Sequence, residues 1–242
     1  MRLTIHASGS KGNLYVLENE KESLLVEAGL TIKKIKEYLD FDFTNIKGCL
    51  ISHEHGDHAK GIKGIMQLGI DIYSSKGTID KLELEGHRIK SVKDKEQFTI
   101  SSFNVLAFET QHDAAEPLGF LIQDTLTNKK FLFATDTHYI KYKFKGISQM
   151  AIECNYSEEL LVQNIAEEKI NSFLAERIKR SHFSLENLVE FLKANDLSEL
   201  EKLYLIHLSG SNLDADLMKE KVSEVYNGEI IIAGKGDIGG NI

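Results

Sequence analysis

The chain is predicted to be an α/β protein, with two mixed sheets packed together and helices outside. Three observations predict this. Short apolar runs of strand character recur along the chain, amphipathic helical segments separate them, and each half closes with strand and helix. Residues 3–6, 13–17 and 23–26 read as strands, set apart by Gly9-Ser10-Lys11-Gly12 and by charged turns. Residues 31–39 form an amphipathic helix with Ile32, Ile35 and Leu39 on one stripe. Residues 47–52 are a buried strand and 58–68 a helix. Strands follow at 71–73, 87–92, 97–100, 103–108, 118–123, 130–134 and 149–153. Residues 158–180 hold one or two helices, and 184–194 another capped by Ser184. A strand at 202–207, a helix at 214–226 and a strand at 229–233 complete the order.

With 242 residues, the chain can bury a substantial core. Its 42% hydrophobic and 27% charged content is that of a soluble globular protein. No run approaches the ~20 apolar residues of a membrane span, and Met1-Arg2-Leu3-Thr4-Ile5-His6 enters a strand pattern without the apolar core of a signal peptide. Cys49 and Cys154 lie far apart in apolar runs and read as buried thiols, which fits a reducing, cytoplasmic setting. A net charge of -8 argues against a surface coated in positive charge for long tracts of nucleic acid, but leaves room for a local basic groove.

The strongest chemical signal is His53-Glu54-His55-Gly56-Asp57-His58, directly after the apolar run 48–52. On an extended segment His53 and His55 project to the same side. Asp57 and His58 follow a glycine, where the chain can turn and aim a second pair of donors, so one segment can serve two metal ions. Mixed imidazole and carboxylate donors suit zinc and related divalent ions. A single His beside a strand is ordinarily structural, whereas four such groups packed together would repel on protonation and be costly to bury unpaired. Three further donors stand at strand exits: His112 after 103–108, Asp136 after 130–134 and His207 at the end of 202–207.

In this ordered set the chain resembles the metallo-β-lactamase-fold hydrolases. The resemblance covers nearly the whole chain and implies a single domain over 1–242, built as a four-layer αβ/βα sandwich. It implies that His53, His55 and His112 bind one metal, Asp57, His58 and His207 a second, and that Asp136 bridges both. Within the superfamily the chain is similar to the YycJ/WalJ-type exonucleases. The matching segments are 7–13 (Ala-Ser-Gly-Ser-Lys-Gly-Asn), 111–119 (Gln-His-Asp-Ala-Ala-Glu-Pro-Leu-Gly), 134–137, 153–155, 177–184 and 207–209. It departs from them at Glu27, where many members have Asp bracing the His-rich loop, at Tyr156-Ser157 and at Ser181.

The expected activity is dinuclear phosphodiester hydrolysis using zinc or manganese, in which a hydroxide held between the ions attacks phosphorus. The expected substrate is nucleic acid, chiefly DNA ends. A small substrate such as a cyclic nucleotide is the alternative, and a non-catalytic metal-stabilised binding module is the second. A membrane is not expected as a partner, and a homodimer is left open. Asp57 is expected to be catalytic as well as a ligand. His182, before the helix at 184, is expected to bind a phosphate oxygen or protonate the leaving oxygen. Ser8, Ser10 and Asn13 are the candidate substrate-binding residues of the Gly-Ser turn. Asp113 is a candidate to orient a ligand imidazole. His6 and His87 read as structural, and His138, two residues after Asp136, reads as a surface residue with a place at the pocket rim as the alternative. Lys141, Lys143 and Lys145 alternate with Tyr142 and Phe144, which makes a local anion-binding strip or a solvated edge.

Overall fold

The computed structural model describes residues 1–233. They form two compact units, one of residues 1–109 with 114–129, the other of 110–113 with 130–233.

The first unit contains β1 (Arg2–Ala7), β2 (Leu14–Glu18), β3 (Ser23–Val26), α1 (Ile32–Tyr38), β4 (Ile46–Leu50), α2 (Gly56–Ala59), α3 (Ile62–Gln67), β5 (Ile72–Ser75), α4 (Lys76–Lys81), β6 (Ile89–Val92), β7 (Gln97–Ile100), β8 (Phe103–Glu109) and β9 (Leu118–Asp124). Strands β1 to β6 form one sheet in sequence order. β1–β2–β3 is antiparallel, and β3 to β6 run parallel. Alternation along the strands sorts the side chains between faces. Leu14, Val16, Leu25, Cys49, Ile51 and Ile72 join Ile35 of α1, Ile62 and Ile65 of α3 and Ile79 of α4 in one core. Their neighbours Tyr15, Leu17, Leu24, Val26 and Leu50 are also fully buried, because the antiparallel meander β7–β8–β9 covers the other face. There Tyr73 stacks on Phe98 at 5.2 Å, and a Cβ on Gly48 would lie 3.1 Å from Ile100 Cγ2. Each such aliphatic side chain contributes about 1.5–3 kcal/mol by leaving water.

The second unit contains β10 (Lys130–Ala134), β11 (Gln149–Glu153), α5 (Glu158–Ala166), α6 (Ser172–Ser181), α7 (Leu185–Ala194), β12 (Lys202–Ile206), α8 (Ala215–Ser223) and β13 (Glu229–Ile232). Its strands are ordered β13–β12–β11–β10 and all parallel. Parallel strands covered on both faces read as continuous apolar runs, and Phe131, Leu132, Phe133 and Ala134 are all fully buried. Tyr156, Leu161 and Ala175 make a small separate core between α5 and α6. Among the described residues, no helix is long and apolar enough to cross a membrane. Cys49 and Cys154 are free and fully buried, and burial pushes both thiols well above their ordinary pKa.

The segment 58–68 is not one helix. It breaks at Lys60–Gly61, because the Gly61 N–H donates to Ala28 O (2.7 Å) rather than continuing the turn. A Cβ at Gly61 would also press on Ile35 and the Leu30 carbonyl. The segment 158–180 likewise divides into α5 and α6. Glu168 takes a left-handed φ of 56°, and the Asn171 side chain restarts the helix by accepting from Leu174 N. α4 escaped the sequence pattern. Six residues are too few for a helical period to register, and Ser75, its N-cap, ends a strand. Ser184 caps α7 as expected, accepting from Asn187 N at 3.1 Å.

Candidate metal centre

In the first unit, β4 carries the chain through buried Ile51 and Ser52 to His53, which is buried in turn. Ser52 Oγ lies 2.9 Å from His53 Nδ1, so His53 presents Nε2, and this atom is 3.1 Å from His55 Nδ1. Extended backbone at His55 (φ -60°, ψ 147°) then starts α2, which lifts Asp57 and His58 onto a helical turn. Asp57 Oδ2 and His58 Nε2 are 3.4 Å apart, and the His58 ring lies 4.2 Å from that of His53. Two ligands each about 2.1 Å from one tetrahedral ion sit roughly 3.4 Å apart. Both donor pairs therefore have the separation that a shared ion requires.

The turn at Gly56 is helix initiation rather than a glycine conformation. Its φ is not left-handed, and a Cβ there would meet nothing within 4 Å. The indispensable glycine is Gly29, where a Cβ would collide with the Asp57 carbonyl and with Asn13 N. Three segments close there through Gly29 N–H to Asn13 O (2.8 Å) and Asn13 N–H to Asp57 O (2.8 Å).

Asn13 is fully buried, and its side chain is hydrogen-bonded within the protein. Its Nδ2 lies 3.0 Å from Asp57 O and 3.2 Å from His58 Nε2, while Oδ1 accepts from Gly9 N and Tyr15 Oη. Ser8 is half-buried with Oγ 2.8 Å from Tyr15 Oη, and Ser10 is exposed. Glu27 does reach the His-rich loop. It is fully buried, accepts from Ser52 N–H at 3.3 Å with Oε1, and turns Oε2 toward His58 Nδ1 at 3.5 Å. A left-handed φ of 65° aims this longer side chain into the space beneath the loop.

In the second unit, His112 Nδ1–H donates to the Ser181 carbonyl at 2.7 Å. That bond fixes the tautomer and leaves Nε2 with its lone pair, 3.6 Å from Asp136 Oδ2. Burial lowers the pKa of His112 against the opposing pull of Asp136 and the Ser181 carbonyl, which favours the neutral ring that a metal needs. Asp136, buried at the exit of β10, turns its other oxygen to His207 Nδ1 at 3.3 Å. One carboxylate thus addresses two imidazoles with separate oxygens. Asp136 (φ 39°) and His207 (φ 53°) both hold left-handed backbone as they leave their strands. Such conformations cost on the order of 1–3 kcal/mol for a non-glycine residue and collect at functional sites.

His182 follows α6. Its Nδ1 is 2.6 Å from Glu153 Oε1, and its ring stacks on His207 at 5.6 Å. Burial opposes its charged form, but the Glu153 carboxylate and its hydrogen bond carry the net pKa above the ordinary 6.5. Glu153 lies in one of the segments that carry the family resemblance, but the sequence suggests no role for it. It is fully buried at the end of β11, where Oε1 also lies 3.1 Å from His207 Nδ1, and Oε2 accepts from Thr137 N–H (3.0 Å) and Phe183 N–H (3.1 Å). Burial would raise its pKa, yet the charge of His182 and the hydrogen bonds from His182 and His207 bring it below the usual 4.5. One donor atom from each of Asp136, Glu153, His182 and His207 falls within 4.8 Å of the others. The strand-exit rule that picked out His112, Asp136 and His207 applies equally to Glu153.

Asp113 does not orient His112. Its side chain is 71% exposed and faces Arg177 at 3.9 Å, and the Ser181 carbonyl takes the orienting position. Lys141, Lys143 and Lys145 are exposed and Phe144 is buried against Phe191, as alternation requires, although the segment is not a strand. His6 packs on Tyr38 at 5.4 Å, a structural contact as expected.

A buried carboxylate shared between imidazoles, an imidazole whose tautomer a backbone carbonyl fixes and donor pairs at ion-sharing distances define a protein with His/Asp clusters that could hold metal ions. Comparison with known proteins gives the class. The family model described as Beta-lactamase superfamily domain matches residues 24–208, and the chain belongs to that superfamily. It is a metal-dependent hydrolase with the metallo-β-lactamase fold. The chain is 30% identical over 230 residues to exodeoxyribonuclease WalJ of Streptococcus pneumoniae, covering 87% of this chain and 82% of that protein. It is 27% identical over 242 residues to exodeoxyribonuclease YycJ of Bacillus anthracis, covering 93% and 89%. Among solved structures, the metallo-β-lactamase-fold protein YhfI of Bacillus subtilis superposes with a TM-score of 0.73 at 18% identity, over 97% of this chain and 96% of that one.

Proposed function

We propose that the protein is a nuclease that hydrolyses phosphodiester bonds at DNA ends with two divalent ions, zinc or manganese. His53, His55 and His112 would hold one ion and Asp57, His58 and His207 the other, with Asp136 on both. The donor chemistry fits, since neutral imidazoles and carboxylates are the set such ions take. The single observation that carries the reading is Asp136, with one oxygen 3.6 Å from His112 Nε2 and the other 3.3 Å from His207 Nδ1. The exodeoxyribonuclease names of the relatives support DNA as substrate. The family match runs through both compact units, which supports one functional domain. The two buried free thiols support a cytoplasmic setting.

Bound divalent ions supply Lewis acidity at a phosphoryl oxygen and lower the pKa of water. The chain's own residues supply the rest. Glu153 holds His182 by Nδ1 and favours the protonated ring, so that Nε2 would give a proton to the departing oxygen. The Ser181 carbonyl holds His112 in a fixed orientation, and Glu27 sets a carboxylate oxygen 3.5 Å from His58 Nδ1.

The test is a substrate panel. Purified protein loaded with zinc or manganese is incubated with end-labelled duplex DNA, single-stranded DNA and cyclic nucleotides, with and without chelator. Nucleotide release from DNA, lost with chelator and steeply weakened by salt, is expected. Cleavage confined to cyclic nucleotides would contradict the nuclease reading.

A further inference from the structure

The surface of α6 carries a pattern that the metal chemistry does not use. Phe173, Arg177 and Arg180 stand at i, i+4 and i+7, so they share one helix face over about 10 Å. Phe173 is 83% exposed, the highest value among the exposed large apolar side chains of the described residues. The three line a groove of about 670 Å³ that also includes Ser181. The Ser181 carbonyl holds His112, and His182 is the next residue, so the groove adjoins the reacting side chains. Its two carboxylates are already matched, Glu176 by Lys179 at 3.7 Å and Asp113 by Arg177 at 3.9 Å. Arg180 makes no ion pair among the described residues. On a chain of net charge -8, an aromatic ring followed by cations beside the site is a local exception to the background.

Resting on the phosphodiesterase reading, we infer that this face of α6 is a track for single-stranded nucleic acid. A base stacks on the exposed ring of Phe173, and the adjoining phosphates lie on Arg177 and Arg180. The strand then runs past Ser181 toward His112 and His182. Aromatic stacking tolerates any base, and guanidinium contacts follow the backbone, so the track reads strandedness rather than sequence. A duplex uses it only after a stretch at its end has become unpaired.

The experiment compares kcat/KM for a single-stranded oligodeoxynucleotide with kcat/KM for bis(4-nitrophenyl) phosphate, using metal-loaded full-length protein. Phe173→Ala and Arg180→Ala are each expected to lower the ratio of the two about tenfold. Arg180→Ala should also flatten the salt dependence of oligonucleotide KM by about 0.7 in log–log slope. Val162→Ala, an exposed apolar control on α5, should leave the ratio unchanged. Ratios within twofold of wild type in both α6 variants would overturn the track. So would wild-type protein that cleaves the small diester but no oligonucleotide, an outcome that spares the hydrolase reading. If neither substrate is cleaved, the hydrolase reading fails, and fluorescence anisotropy with labelled oligonucleotide decides the track alone: equal affinity in wild type and variants overturns it, weaker affinity in the variants supports it. An unchanged ratio with loss of a dimer on sedimentation of Phe173→Ala would assign the face to self-association instead.

Discussion

Asp136→Ala is expected to abolish metal loading and turnover together. Removing an outer partner of a metal ligand typically costs about 10–100-fold in affinity, and Asp136 is proposed as a ligand to both ions, so the loss should exceed that range. The residue also holds a left-handed φ of 39°, where Ala is disfavoured. Asp136→Asn therefore accompanies it, because Asn tolerates that backbone and keeps the side chain's size. Circular dichroism with metal analysis separates the effects. A folded Asp136→Asn protein with little metal and no activity is the expected outcome, whereas full loading and turnover would remove Asp136 from the centre.

His182→Ala is expected to spare metal content and lower turnover about 10²–10⁴-fold, the usual contribution of a positioned acid. The loss should depend on the leaving group. A nitrophenolate departs without a proton, so the deficit should be smaller with bis(4-nitrophenyl) phosphate than with DNA. Glu153→Gln supplies a second readout. Glu153 is the group that raises the His182 pKa, so removing its charge should move the alkaline limb of the kcat/KM profile to lower pH. Equal deficits for both substrates would contradict proton donation by His182, and wild-type turnover in His182→Ala would remove it from the chemistry.

The parts of this centre differed in how clearly the sequence announced them. His53, His55, Asp57 and His58 were conspicuous because polar donors rarely crowd directly after an apolar strand. His112, Asp136 and His207 were visible as polar groups at strand exits and became a set through the family pattern. Glu153 met the same criterion but looked like a strand end, since its importance lies in who donates to it: His182, Thr137 and Phe183 come from separate places in the chain. Asp113 shows the converse error, because adjacency in sequence suggested a brace for His112 that the carbonyl of distant Ser181 provides. The glycine-rich turn drew attention to Asn13, but its bonds to His58 and the Asp57 carbonyl span 45 and 44 residues and left no mark in the sequence.

The fold followed a similar division. Strands were legible within a residue or two, because period-two burial and apolar runs are local signals. The break between α2 and α3 was not, because it depends on the Ala28 carbonyl accepting from Gly61. Sheet order was also beyond the sequence, since β3 pairs with β4 across an intervening helix and no periodicity records that partner.

The proposed centre holds two divalent ions on seven side chains. Elemental analysis by inductively coupled plasma mass spectrometry, on protein purified without chelator and dialysed against trace metal, tests it most directly. Close to two zinc or manganese ions per chain are expected, while a stoichiometry near zero in folded protein would rule the two-ion centre out.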